Sequence, residues 1–398
     1  MIPLFNTLSI KSFFKEQTSS GNYFAPLTGL RGLAATLVLL FHISSLVPIQ
    51  NDEAGFMFKY FFRWIYGFGF LGVPIFFVLS GFLLSFSFLS AYKKKQKPDL
   101  KKFAINRCLR VLPSYYVQLI IFVVGGWLLF DSKYTVYNII MHFLMLHNFD
   151  ITINSLINGV YWTLPIEWNF YFIMPILSIF FLRNRWFWLV IIALAIGISS
   201  RIIIGEVIFA DVDTNKRIWI LSQVFSIPEY FLFGMVGAYW RFNLNDDSWA
   251  IRYGDFIMIA GALMLCIGIS IVDWSRYWIG QQHYWWNSFA PIALTLFIFG
   301  ASAQKIISKV LWTNRIMMIL GVLSYGIYLW HLTIIHLING NLLPQLKLSD
   351  WLMTYGFSPV MILLIVTVVV LGLTSIISYI NHQLIEKPFL QLKSINKR

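Results

Sequence analysis

Residues 68–89 read FGFLGVPIFFVLSGFLLSFSFL, twenty-two positions without one charged side chain. As a helix rising about 1.5 Å per residue, this run is long enough to cross the ~30 Å hydrocarbon core of a bilayer. The rest of the 398-residue chain repeats the pattern: 58% of residues are hydrophobic, 18% aromatic and only 12% charged. Soluble domains carry about 25% charged residues, so the composition excludes a soluble globular or disordered chain. Two cysteines are too few for a disulfide scaffold, and Cys108 and Cys266 lie at a membrane edge and inside a span, where a disulfide is not expected.

Ten approximate spans follow: Leu30–Leu46, Phe68–Leu89, Leu112–Phe130, Val160–Leu182, Trp186–Ile204, Ile218–Trp240, Phe256–Val272, Phe289–Ala303, Ile316–Ile338 and Phe357–Ile380. Tyr137–Phe149 is apolar but too short to cross, and reads as an interfacial or re-entrant piece. The predicted fold is an all-α polytopic membrane protein of about ten helices. With the N-terminus in the cytoplasm, 22 of the 30 Lys and Arg residues fall inside, so both termini are expected to be cytoplasmic. The net charge of +13 thus reads as a topology signal rather than as nucleic-acid binding. Residues 1–25 show no compact apolar core of a cleavable signal and read as a terminal segment, interfacial or frayed. Residues 26–388 form the membrane domain and 389–398 a basic tail. No strong internal repeat suggests the paired halves of a transporter.

Polar groups inside spans are costly, which makes each a functional candidate. In LTGLRGLAATLVLLFH (27–42), Arg31 and His42 are eleven residues apart, on nearly the same helix stripe and about 16 Å apart in rise. The plain alternative is a snorkelling arginine and a core histidine. In GVYWTLPIEWNFYF (159–172), Glu167 lies about two turns into its span and is expected to reach the level of His42. A Glu–His pair suits acid–base work, and a structural salt bridge is the alternative. In the loop reading KKFAINRCLRVLPSYY (101–116), Arg107 and Arg110 share a helix face at i, i+3. With Arg31 they suit phosphate oxygens; positive-inside charge is the simpler reading. In GVLSYGIYLWHLTIIH (321–336), Ser324, Tyr328 and His331 fall near one face, with Tyr325 beside them. Glu229 follows Pro228 in IPEYFLFGMVG (227–237), at the expected mid-depth of a broken helix. His331 with His336, and His142 with His147, are five apart and poor metal pairs, so no metal site is expected. Gly67, Gly69 and Gly72 match a dinucleotide fingerprint, but no strand precedes them.

Together these segments resemble the acyltransferase 3 family of integral-membrane acyltransferases, which includes O-antigen and peptidoglycan O-acetylases. The matching features are LTGLRGLAATLVLLFH, GVPIFFVLSGFLL, RCLRVLPSYY, YWTLPIEWNFYFIMP, IPEYFLFGMVG, SYGIYLWH and IEKPF, in the family's order over almost the whole chain. The resemblance implies transfer of an acyl group, usually acetyl, from cytoplasmic acetyl-CoA to a hydroxyl of an extracytoplasmic or lipid-linked glycan. Acetyl-CoA is expected as a substrate and no cofactor as a resident. The family's essential Arg and His fall on Arg31 and His42, its RxxR pair on Arg107 and Arg110, and the Glu of its Trp-Ser/Thr-Leu-x-x-Glu motif on Glu167. Pro74 stands where many members have an acidic residue. Many relatives carry a soluble esterase-like domain after IEKPF; here a second-step carrier is expected, if used, from a partner. The expected location is the bacterial plasma membrane. A transporter or flippase of a lipid-linked sugar is the competing class.

Overall fold

The computed structural model describes residues 24–44, 67–129, 132, 134–182, 184–208, 214–272, 282–340 and 347–395. The terminal segment expected over 1–25 falls almost wholly outside these residues. The described residues are mostly helical, with no β-strand among them.

The chain begins with α1 (Ala25–Ile43), whose first turn holds Pro26, a position where its missing N–H costs nothing. A tight turn at Gly69–Leu71 leads into α2 (Gly72–Lys93). Helix α3 (Leu100–Leu129) contains Pro113 without breaking, so Arg107 and Arg110 stand on the crossing helix itself and not in a loop before it. The short helix α4 (Val136–Phe143) is capped by the Thr135 side chain, which accepts from the Asn138 amide at 3.2 Å. Helix α5 (Thr163–Leu177) follows a tight turn at Gly159–Trp162, and α6 (Phe187–Ile202) continues into a wide π-turn at Ile203–Ile208.

The sixth expected crossing is two helices, α7 (Thr214–Leu221) and α8 (Pro228–Asn243). Pro228 lacks the N–H that a continuous helix needs and starts α8 instead. Next come α9 (Gly254–Ile271), α10 (Gln282–Ser302) and α11 (Ile306–Trp312), the last two meeting at a 98° bend. Asp255 fixes that bend by accepting from the amides of Ile307 at 2.7 Å and Ser308 at 3.0 Å. Helix α12 (Arg315–Ile338) is capped by Asn314, and α13 (Leu348–Thr354) and α14 (Pro359–Asn381) follow. A π-turn at His382–Glu386 joins α14 to α15 (Lys387–Ile395), so most of the expected tail is helical.

Among the described residues, eight helices are long and apolar enough to cross a membrane, and the bent α10–α11 pair makes nine. All ten apolar runs are helical; the sixth is divided between helices too short to count. The protein is an all-α, multi-pass membrane protein.

Two glycine contacts bring the central helices together. A Cβ on Gly321 of α12 would lie 2.0 Å from the Thr28 carbonyl oxygen of α1, and one on Gly81 of α2 would lie 2.1 Å from the Phe231 carbonyl oxygen of α8. Small residues at such crossings let backbones approach, the main source of helix association where lipid is as apolar as the core. A Cβ on Gly72 of α2 would likewise lie 2.2 Å from the Ala34 carbonyl oxygen of α1, so α1 packs against both α2 and α12, and Arg31, His42, Ser324, Tyr325, Tyr328 and His331 lie on α1 and α12.

Candidate active site

Two cavities lie between these helices. The smaller, about 100 Å³, is lined by Arg31 of α1, Arg107 and Arg110 of α3, Glu167 and Tyr171 of α5, and Ser324 and Tyr325 of α12. Helix periodicity puts Arg107 and Arg110 on one face, and the α1–α12 contact brings Arg31 beside them. The Tyr325 hydroxyl donates to the Val111 carbonyl at 2.7 Å, and its ring lies 5.9 Å from the Arg110 guanidinium. Among the described residues, the buried Ser324 hydroxyl and the Arg107 Nε have no hydrogen-bond partner. Buried polar atoms normally find one, so their orphaning here fits a ligand with acceptor oxygens.

Glu167 belongs to this cavity. Its Oε1 accepts from the Ser80 hydroxyl at 2.5 Å and from the Tyr171 hydroxyl at 2.6 Å. The expected hydrogen bond from Glu167 to His42 is therefore corrected. Depth along the span fixes how far Glu167 descends, but the packing of α5 on α2 turns it towards Ser80.

The larger cavity, about 770 Å³, is lined by His42 with Phe41, Trp162, Trp219, Trp286 and Asn287 among others. Its size is typical of a small-molecule site. Beside His42 is another histidine: His331 Nε2 lies 3.3 Å from His42 Nδ1. His42 Nδ1 also lies 2.9 Å from the Val38 carbonyl, and His331 Nδ1 lies 2.8 Å from the Tyr328 carbonyl. Carbonyls only accept, so the neutral rings carry their protons on Nδ1. His42 Nδ1–H is then shared between Val38 and His331, and the lone pair of His42 is on Nε2.

Val73, Phe77 and Tyr328 line both cavities. The Tyr328 hydroxyl donates to the Val160 carbonyl at 3.1 Å and lies 2.6 Å from the Thr163 hydroxyl. Arg31 and His42, on one helix, thus line two chambers with a common wall.

Glu229 stands apart from both. It forms a bidentate pair with Arg201, Nη2 to Oε1 at 2.6 Å and Nη1 to Oε2 at 3.1 Å, with both side chains fully buried. Arg201 also donates to the Ser226 carbonyl and the Ser288 hydroxyl. Arg201, in the last turn of α6, is the partner of this carboxylate, and Glu229 lines neither cavity. His142 and His147 stack with ring centroids 4.3 Å apart, because α4 ends at Phe143 and the helical spacing no longer applies between them. Among the described residues no cluster of metal ligands is present, and both cysteines are free thiols.

The model of the acyltransferase domain, the acyltransferase 3 family, matches residues 25–379. The chain belongs to this family. Among its curated relatives, O-acetyltransferase OatA of Staphylococcus aureus (strain NCTC 8325 / PS 47) is 27% identical over 94% of this chain and 58% of its own length. Peptidoglycan O-acetyltransferase OatA of Listeria monocytogenes is 26% identical over 80% of this chain and 50% of its own length. The chain thus spans between half and three-fifths of these acyltransferase-family relatives. No solved structure matches it.

His331 was legible only as a supporting residue, and Ser80 and Thr163 not at all as partners of Glu167 and Tyr328. A serine beside Gly81 inside an apolar run reads as packing, and only the neighbouring helix shows what it faces.

Proposed function

We propose that this protein is a membrane-embedded O-acyltransferase that moves an acetyl group from acetyl-CoA to a hydroxyl of an extracytoplasmic or lipid-linked glycan. The observation that carries the reading is the smaller cavity: three arginines, an orphaned serine hydroxyl and an orphaned arginine N–H converge behind one wall from a histidine pair. Guanidinium groups hold phosphate oxygens bidentately, which suits the donor's nucleotide end at Arg31, Arg107 and Arg110. The larger cavity would receive the acceptor, for which the names of the relatives make peptidoglycan the first choice.

In this reading His42 Nε2 takes the proton of the acceptor hydroxyl as its oxygen attacks the thioester carbonyl. The tetrahedral intermediate collapses, the C–S bond breaks, and the CoA thiolate recovers the proton from the imidazolium. His331 Nε2 accepts from His42 Nδ1–H throughout and spreads the positive charge. Glu167, Ser80 and Tyr171 shape the donor side. With the arginine end inward, as the loop charges suggest, the donor enters from the cytoplasm and both termini lie there, in a bacterial plasma membrane.

Purified protein in vesicles, given labelled acetyl-CoA and a glycan acceptor, tests this. Label should reach the glycan with the wild type and not with His42→Ala. Movement of a lipid-linked sugar without acetylation would favour a flippase and sink the proposal.

A further inference from the structure

Glu386, in the terminal IEKPF stretch, has no role in the reaction just described, yet its side chain is only 1% exposed and lies 3.1 Å from Arg110. Its other oxygen accepts from Asn381 Nδ2 at 3.0 Å, and the same amide nitrogen donates to the Ser114 hydroxyl at 3.0 Å. Arg110 and Ser114 are i, i+4 on α3, so α14 and its π-turn clip onto one face of the helix that carries the RxxR pair. Residues 381 and 386 are five apart, which in an α-helix would set them about 140° apart. The π-turn at His382–Glu386 widens that step and turns both side chains onto α3. Single π-turns within helices recur at functional sites. Arg110 is thereby held between the Glu386 carboxylate, which takes its Nη1, and the Tyr325 ring, and it lines the cavity.

We infer that Glu386 is a positioning residue for the donor's phosphate groups: it fixes the Arg110 guanidinium in the orientation that meets them. The inference rests on the donor site proposed above. It carries a sign that separates it from simple charge. Removing a carboxylate next to three arginines makes the cavity more positive, which by Coulomb attraction alone tightens an anion. Removing a positioning group loosens the fork and weakens it.

The test uses the full-length protein in detergent or nanodiscs, with CoA itself as the probe. Glu386→Gln keeps the size and an acceptor for Asn381 but loses the charge that holds Arg110. The expected result is about a tenfold rise in the Kd for CoA, the size of one charge-assisted hydrogen bond. The KM for acetyl-CoA should rise in parallel with little change in kcat. Glu386→Asp should recover part of the loss, and Arg110→Ala combined with Glu386→Gln should bind no more weakly than Arg110→Ala alone. If Glu386→Gln unfolds, Asn381→Leu loosens the same turn while leaving the carboxylate, and should raise the Kd in the same direction. Unchanged or tighter CoA binding in a folded variant overturns this inference and leaves the donor site standing. A wild type that does not bind CoA overturns the donor site, and the role of Glu386 with it.

Discussion

His331 Nε2 lies 3.3 Å from His42 Nδ1, and each ring also turns its Nδ1 to a backbone carbonyl of its own helix. The orientation of His42 is thus set from both sides of the α1–α12 contact. With the proton on Nδ1, its lone pair is on Nε2.

The first prediction concerns this pair. His42→Ala should retain CoA binding and lose turnover by at least ~100-fold, the usual contribution of acid–base catalysis. His331→Ala should lose less, because the ring acts through His42 and does not take the proton itself. Steady-state transfer rates on protein that still binds CoA check both; a fully active His42→Ala would remove His42 from the reaction.

The arginines give a second expectation. Neutralising Arg31, Arg107 or Arg110 should weaken CoA binding and make it less sensitive to salt. Arg31→Lys should rescue only in part, since an ammonium cannot reproduce a bidentate fork. Titration at two ionic strengths reads this directly, and unchanged affinity in all three variants would end the phosphate assignment.

Glu167 is predicted to act on the donor side, with the arginines rather than with His42. Glu167→Gln should therefore alter the KM for acetyl-CoA, and Ser80→Ala, which removes one of its two hydrogen bonds, should shift it in the same direction. A pure loss of kcat with unchanged donor KM would return Glu167 to the histidine.

Arg201 and Glu229 yield a stability prediction. Breaking a buried pair from one side leaves an uncompensated charge, typically at a cost of about 3–5 kcal/mol. Glu229→Leu should lower the melting temperature in detergent strongly, and Arg201→Met with Glu229→Leu should recover much of it. Equal melting temperatures for wild type and single variant would show that the pair is not a strut.

A packing control completes the set. Gly321→Ala should destabilise, because its Cβ would fall on the Thr28 carbonyl at 2.0 Å, whereas Gly372→Ala meets nothing within 4 Å and should be neutral or mildly stabilising. Thermal unfolding of the two variants side by side gives the answer.

Much of this site was legible in the sequence because a helix carries its own ruler. The three-residue step from Arg107 to Arg110 puts both on one cavity, whereas the eleven-residue step from Arg31 to His42 runs from that cavity to the other. What periodicity does not carry is how one helix is rotated against the next. Glu167 was placed by depth, yet Ser80 on α2 and Tyr171 decide which cavity it joins. Glu229 was read as a lone mid-span carboxylate because Arg201, at the end of an apolar run, looked like loop charge. The alignment of Asn381 with Glu386 depends on a π-turn, and no spacing rule for a regular helix would pair them. Pro228 did signal where the sixth run divides, since its chemistry acts locally.

The wall formed by Val73, Phe77 and Tyr328 has a metabolic consequence. A thioester within reach of both a base and water is spent without product, and a cell pays for each lost acetyl-CoA. In the proposed reaction the thioester waits on the side of the smaller chamber, about 100 Å³, while the base faces the larger one. In that reading the Tyr328 hydroxyl, bonded to Thr163 and Val160, is the latch between them. Such an enzyme idles without leaking: its thioesterase rate in the absence of a glycan stays far below its transfer rate, and loosening the latch raises the waste before it changes the product.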